Sequence, residues 1–357
     1  MTEMQHQFVD RESGKIRTEK FLGDNSINFL YSMAREKAPL LFQAITGSRF
    51  SSELLAFLKF DMGVWPPSRK TLESLGINLD ECLHPEDFTT MRRVFERQIR
   101  YWDCRPMPED PASIVSPADS RVIVGSLSET SSLFLKEKFF DYEELLGTDQ
   151  TRWLGEFLNG DFAIFRLTPE KYHYNHTAVA GKILDFYEIP GGYHSCNPSA
   201  LINIVTPFSK NKRVVTIIDT DIPGGTGVGL VAMIEIVALM IGEIVQAYSD
   251  SQYCDPKPIT PGMFVKKGAP KSLYRPGSST DLLVFQPGRI EFADDLVRNL
   301  SRSNINSRFS LALGKPLVET DVKVRSLIGR AILQNHEFIV RNIIKCMDNF
   351  ERSNWNV

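Results

Sequence analysis

The chain has 357 residues, 42% of them apolar and 24% charged, with a formal net charge of −3 at pH 7. That length and composition can bury a substantial core in one large domain or two ordinary ones, and the charge gives no support to a nucleic-acid partner. Five cysteines (Cys82, Cys104, Cys196, Cys254 and Cys346) lie far apart without a CxxC pair, and the six histidines include no HExxH, so a reducing compartment is expected and a disulfide framework or metal site is not.

The N-terminus, MTEMQHQFVDRESGK, is polar and lacks the apolar stretch of a signal peptide. From Glu19 to about Trp102 the spacing is helical. Phe29, Leu30, Met33, Ala34 and Ala38 recur with that period, as do Leu54, Leu55, Phe57 and Leu58, and a further helix is expected near Asp87, behind Pro85 and Glu86. Pro106, Pro108, Pro111 and Pro117 exclude a helix interior. They mark residues 105–117 as a linker that closes an N-terminal helical region, 1–104.

The texture then changes to short β-rich runs: Arg121–Val124, Phe162–Phe165, Lys182–Tyr187, Arg213–Ile218, Val231–Val237 and Leu282–Phe285. Gly191-Gly192, Gly224-Gly225 and Pro287-Gly288 punctuate them. No long helix has to intervene, so the fold class expected is α+β: the helical region, then a mainly antiparallel, sandwich- or barrel-like core over 118–329. Gly224 through Gly229 lacks the Gly-Lys-Ser/Thr ending of a phosphate loop and reads as a hairpin loop. The most hydrophobic stretch, Gly229 to Val245, contains Glu235 and Glu243 and is short for a membrane span; it is expected in the core. A C-terminal stripe (Leu327, Ile328, Ala331, Ile332, Ile339, Ile343, Ile344, Met347) is expected as a helical tail, 330–357, docked on the core, on a second copy or on a membrane surface. The expected location is cytoplasmic or peripheral to a membrane, with no transmembrane helix.

Three segments contain residues suited to chemistry. Ser116-Pro117-Ala118-Asp119-Ser120 precedes a strand, where an Asp beside a Pro also serves as a turn residue. Tyr172-His173-Tyr174-Asn175-His176 sets two histidines three apart in an aromatic, polar context suited to proton transfer, though two ordinary histidines would look the same. Gly277-Ser278-Ser279-Thr280 leads into the apolar run Leu282–Phe285; it is not the GxSxG of a nucleophile elbow, and alone it reads as a turn.

In this order the three motifs resemble the phosphatidylserine decarboxylases. Further residues of similar position are Arg11-Glu12-Ser13-Gly14, Phe21-Leu22-Gly23, Phe29-Leu30-Tyr31, Tyr142 through Gly147, Asn197-Pro198, Lys212-Arg213, Ala238 through Gly242, and Glu319-Thr320 to Gly329. The chain departs from the usual pattern at Ser120, Tyr174, Ala178, Glu243, Ala269-Pro270 and Ser278, and none of these changes removes a group that the chemistry requires.

The resemblance implies a precursor that cuts itself between Ser278 and Ser279 and converts Ser279 into a covalent pyruvoyl group, an electron sink for decarboxylation that needs neither pyridoxal phosphate nor a metal. His176, oriented by Asp119, is the expected base for Ser279, and His173 the expected proton donor to the product. The implied substrate is phosphatidylserine. Lys266, Lys267 and Arg275, with Lys271 among them, are candidates for its phosphate or for an anionic membrane surface, and Leu54, Leu55, Phe57, Leu58 and Phe60 for contact with the bilayer. The two cleaved chains would remain a β/α heterodimer and would dimerise further. The alternatives are a pyruvoyl-dependent decarboxylase of a soluble or aromatic amino acid, and an uncleaved, inactive β-rich binding protein.

Overall fold

The computed structural model describes residues 5–20, 27, 29–31, 35–62, 67–128, 138–240, 243–277 and 279–332. Met33, Ala34, Cys346, Ser278 and the C-terminal stripe beyond Ile332 lie outside them.

In chain order the strands are β1 (Gln7–Asp10), β2 (Ile16–Thr18), β3 (Ser113–Val115), β4 (Ser120–Ser126), β5 (Asp161–Leu167), β6 (Tyr174–His176), β7 (Gly181–Ile189), β8 (Arg213–Asp219), β9 (Leu230–Val237), β10 (Ile244–Gln246), β11 (Phe264–Val265), β12 (Pro270–Tyr274), β13 (Ser279–Phe285), β14 (Ile290–Phe292), β15 (Thr320–Val322) and β16 (Leu327–Ala331). Every run expected as a strand is one, somewhat longer than its apolar kernel, and Gly224 through Gly229 lies in the connection between the antiparallel neighbours β8 and β9. The architecture is α+β. A ten-stranded sheet runs β11-β7-β8-β9-β13-β5-β4-β15-β1-β2, beside two three-stranded sheets, β10-β12-β6 and β14-β16-β3. In the large sheet β1 and β15 pair in parallel, and the other pairs are antiparallel.

β13 is hydrogen-bonded on one edge to β5 and on the other to β9 along its whole length. Its two faces enter different clusters: Leu282 and Val284 pack with Ile164, Ile234 and Phe140, and Leu283 and Phe285 with Phe165, Val231 and Met233. A strand covered on both faces needs apolar side chains at consecutive positions rather than alternate ones, which explains the run Leu282–Phe285.

Helix α1 (Pro39–Thr46) starts on a proline in its first turn, where the missing N–H costs nothing. Helix α2 (Arg49–Phe60) buries Ser52, Ala56 and Phe60, one stripe at a spacing of four. Apart from Phe60, its most hydrophobic residues lean the other way: Phe50 is 74% exposed, Phe57 50% and Leu58 51%, and Leu40 of α1 is 82% exposed.

Three expectations change. The helix expected at Asp87 is displaced: Pro85–Asp87 is a single 3-10 turn, and the helix is Met91–Phe95, capped by the Thr90 hydroxyl on the Arg93 amide. The proline-rich stretch ends in the buried strand β3, which pairs with β16. Leu327–Ala331, expected as the start of a helix, is that strand β16, because β14 and β3 supply hydrogen bonds on both its edges. A short apolar run fits either period until such partners decide. Among the described residues no helix is long and apolar enough to cross a membrane.

Candidate active site

Ser279 is the first residue of β13, paired with Leu167 of β5 and Val237 of β9. It is fully buried, and its hydroxyl has no hydrogen-bond partner among the described residues. Its carbonyl oxygen accepts from the Cys196 thiol at 3.5 Å. Gly277, two residues earlier, has φ +155°, a setting that L side chains rarely adopt. Cys196, Leu167 and Gly277 line a cleft bounded elsewhere by Lys59, Phe60 and Ser195.

Strand alternation puts Asp281 on the same face as Ser279. Its Oδ1 accepts from the Tyr274 hydroxyl at 2.7 Å, and that hydroxyl accepts in turn from the Ile236 amide at 3.1 Å. Asp281 stands in register with Glu235 of β9, itself fully buried and ion-paired with Lys271 at 2.5 Å. Asn175, Gln246 and the Ser272 hydroxyl also donate to Glu235. Burial, then the Glu235 charge, pushes the Asp281 carboxyl well above the ordinary range.

His173 precedes β6, and its carbonyl accepts from the Tyr274 amide. The ring stacks on Phe95 with centroids 3.5 Å apart, and neither nitrogen has a hydrogen-bond partner among the described residues. Burial, then the Arg97 charge, pushes its pKa well below the ordinary value, against the pull of the Lys171 carbonyl and Asp119. His176 lies within β6. Nδ1 is 2.9 Å from the Gly268 carbonyl, an obligate acceptor, so Nδ1 bears the proton and Nε2 accepts from the Tyr172 hydroxyl at 3.0 Å. Burial lowers this imidazole to about 3. Both rings are therefore neutral at pH 7.

Asp119 opens β4. Its carboxylate takes two hydrogen bonds from Arg105, at 3.0 and 2.8 Å, and one from the Val324 amide at 2.8 Å. Burial works to raise this carboxyl, but the Arg105 charge and hydrogen bonds outweigh it and hold the group at about 2. The first two motifs meet through the backbone, where the His176 amide donates to the Pro117 carbonyl at 2.7 Å. Their side chains do not: among the described residues no hydrogen bond joins Asp119 to His176 or His176 to Ser279.

The basic residues expected to meet a phosphate are dispersed. Lys271 is wholly buried against Glu235. Lys267 is held by the carbonyls of Asp110, Pro111 and Ser113. Lys266 pairs with Asp250 at the surface, and Arg275 with Glu96 and Glu243. None of them lines the cleft beside Ser279. Sequence reasoning missed Arg105, Cys196, Lys59 and the Glu235–Lys271–Asp281 cluster. The one available signal was Glu235, a charge interrupting the apolar run Leu230–Val237.

A second buried network joins the chain ends: His6 contacts Glu319, while Arg166 bridges Glu319 and Glu19, and Arg121 also pairs with Glu19. His6, Glu19 and Glu319 are spaced as metal ligands would be, but the two arginines already satisfy the carboxylates.

A family model described as phosphatidylserine decarboxylase matches residues 91–309. The chain is similar to the phosphatidylserine decarboxylase proenzyme of Fusobacterium nucleatum, 28% identical over 304 residues that cover 85% of this chain and 94% of that one. The Chlamydia muridarum proenzyme is 30% identical over 318 residues, 88% of this chain and 99% of its own length. The proenzyme 2 of Oryza sativa subsp. japonica is 36% identical over 232 residues, 64% of this chain and 34% of the rice protein.

Proposed function

The chain belongs to the phosphatidylserine decarboxylase family, and from that premise we propose that it converts phosphatidylserine to phosphatidylethanolamine and CO2 through a pyruvoyl group made from Ser279. The observation that carries this reading is the setting of Ser279: a buried hydroxyl without a partner among the described residues, at the head of a central strand and beside a cleft.

In maturation the Ser279 Oγ attacks the Ser278 carbonyl carbon. The Ser278–Ser279 C–N bond breaks, its nitrogen takes a proton, and an ester is left. Removal of the Ser279 α-proton expels Ser278 as a carboxylate, and water then replaces the nitrogen, which departs as ammonia. The products are chains of 278 and 79 residues (357 − 278 = 79). The second begins at β13, and β5 and β9 hydrogen-bond to both edges of that strand, so the two chains remain one β/α heterodimer.

His176 is assigned as the base for the Ser279 hydroxyl, with Asp119 orienting it. Its neutral state at pH 7 suits that role. The role also requires the ring to turn from Tyr172 and the carboxylate to leave Arg105, the partners they have in the precursor chain. His173, neutral and with both nitrogens spare among the described residues, is suited to relaying a proton to the product carbon. The pyruvoyl carbonyl, once formed, supplies the electron sink for the departing CO2; the Cys196 thiol at the Ser279 carbonyl is positioned to favour charge on that oxygen.

The region 1–104 is assigned to membrane contact, through the exposed face of α1 and α2 (Leu40, Phe50, Leu54, Phe57 and Leu58). Intact mass and CO2 release from labelled phosphatidylserine in mixed micelles test the whole reading. Two fragments of 278 and 79 residues, with turnover of the lipid, are expected; a single full-length species in active protein, or turnover of free serine or an aromatic amino acid with none of the lipid, refutes it.

A further inference from the structure

α2 separates two environments. Ser52, Ala56 and Phe60 face inward, while Phe50, Leu54, Phe57 and Leu58 are exposed. Lys59 stands at the boundary: it lines the cleft with Phe60, Leu167, Cys196 and Gly277, one residue along the helix from the apolar face. Leu167 pairs with Ser279, and the Cys196 thiol reaches the Ser279 carbonyl, so the same cleft abuts the reactive residue. Its two acidic residues are engaged, Glu19 by Arg121 and Arg166 and Glu170 by the Thr168 hydroxyl. The Lys59 ammonium has no carboxylate within ion-pair distance among the described residues; its recorded contact is the Phe60 ring, 5.5 Å away. Lys59 is itself an exposed residue, and the protein packed about its ammonium lowers its pKa. The exposed Lys20 also borders the cleft.

We propose that Lys59 binds the phosphodiester of the lipid substrate, an inference that rests on the decarboxylase reading above. The substrate's own order of groups carries it. In phosphatidylserine the amine comes first, the phosphate a few bonds further out, and the acyl chains beyond the glycerol. The protein presents matching groups in the same order: Ser279 behind the Leu167 and Cys196 wall of the cleft, the Lys59 ammonium at the cleft, and the exposed apolar face of α2 outside. Lys59 thus distinguishes a phosphodiester from a free amino acid, and its place on α2 ties that recognition to the helix that meets the bilayer.

The test uses dihexanoyl phosphatidylserine below its micellisation point, where no interface exists, with CO2 release as the readout. Removing one charge-assisted hydrogen bond predicts a KM about tenfold higher in Lys59→Ala, higher again in Lys59→Glu, and back to within about threefold of wild type in Lys59→Arg. Complete self-cleavage on a denaturing gel verifies that each variant folds, and Lys257→Ala, a surface charge outside the cleft, serves as control. A Lys59→Ala KM within about twofold of wild type overturns the inference. So does a loss confined to anionic vesicles and absent with the monomeric lipid, which assigns Lys59 to bilayer attraction. A wild type that turns over no phosphatidylserine at all refutes the decarboxylase reading, and the subsite with it.

Discussion

Arg105→Ala strips two hydrogen bonds and a positive charge from the buried Asp119 carboxylate, leaving the Val324 amide as its remaining donor. The structure sets the magnitude. Asp119 is held at about 2 against an ordinary 3.8, a gap worth about 2 kcal/mol, and removing one partner of a buried ion pair costs about 3–5 kcal/mol. A loss of about 3 kcal/mol at pH 7 is therefore expected. The folded pKa is depressed, so the stabilisation is complete above about 3.8 and fades as pH falls toward 2; the gap between wild type and variant should narrow below pH 4. Urea unfolding followed by tryptophan fluorescence measures it, best on a Ser279→Ala background, which holds the protein as one covalent chain. Arg105→Ala/Asp119→Asn removes both charges of this pair and should be less destabilised than the sum of the two single changes, by about 2 kcal/mol. A loss below about 1 kcal/mol in Arg105→Ala, or strict additivity in the double variant, would refute the ion-pair account.

His176→Ala should slow self-cleavage by about two to four orders of magnitude on a denaturing gel, the usual worth of a general base; processing at the normal rate would transfer that role to His173. Asp281→Asn should stabilise the protein at pH 8. A folded pKa raised above 3.8 means that stability is fully present below 3.8 and is lost as pH rises through the folded value, so the gain should shrink toward pH 4, as chemical unfolding at the two pH values would reveal. Phe57→Asp/Leu58→Asp, two charges on exposed positions of α2, should abolish flotation with phosphatidylserine liposomes while leaving self-cleavage complete; unchanged flotation would move the membrane contact elsewhere.

Much of the fold was readable along the chain because it is written locally. The runs Phe162–Phe165, Val231–Val237 and Leu282–Phe285 are strands where their apolar, β-branched and aromatic residues said so. Where a short run fitted two periods, as at Leu327–Ala331, hydrogen bonds from β3 and β14 decided for strand. α2 shows the opposite difficulty: its helical spacing was plain, but its most hydrophobic positions lie outside and the modest stripe Ser52, Ala56 and Phe60 lies inside. Periodicity identifies an apolar face but not what covers it.

By itself, then, the sequence determined the six longest strands, the chemistry-bearing motifs in their order and the serine at the head of an apolar strand, since each depends on neighbouring residues alone. Only the tertiary structure decided that Lys271, apparently one of a basic stretch, is buried against Glu235, that Arg105 and not His176 holds the Asp119 carboxylate, and that Lys59 overlooks the cleft beside Ser279. These pairings join residues 14 to 36 positions apart, or bring a helix of the N-terminal region over a strand more than 200 residues later. Sheet register and packing set them, and burial then makes each charge depend on whichever group the fold puts beside it.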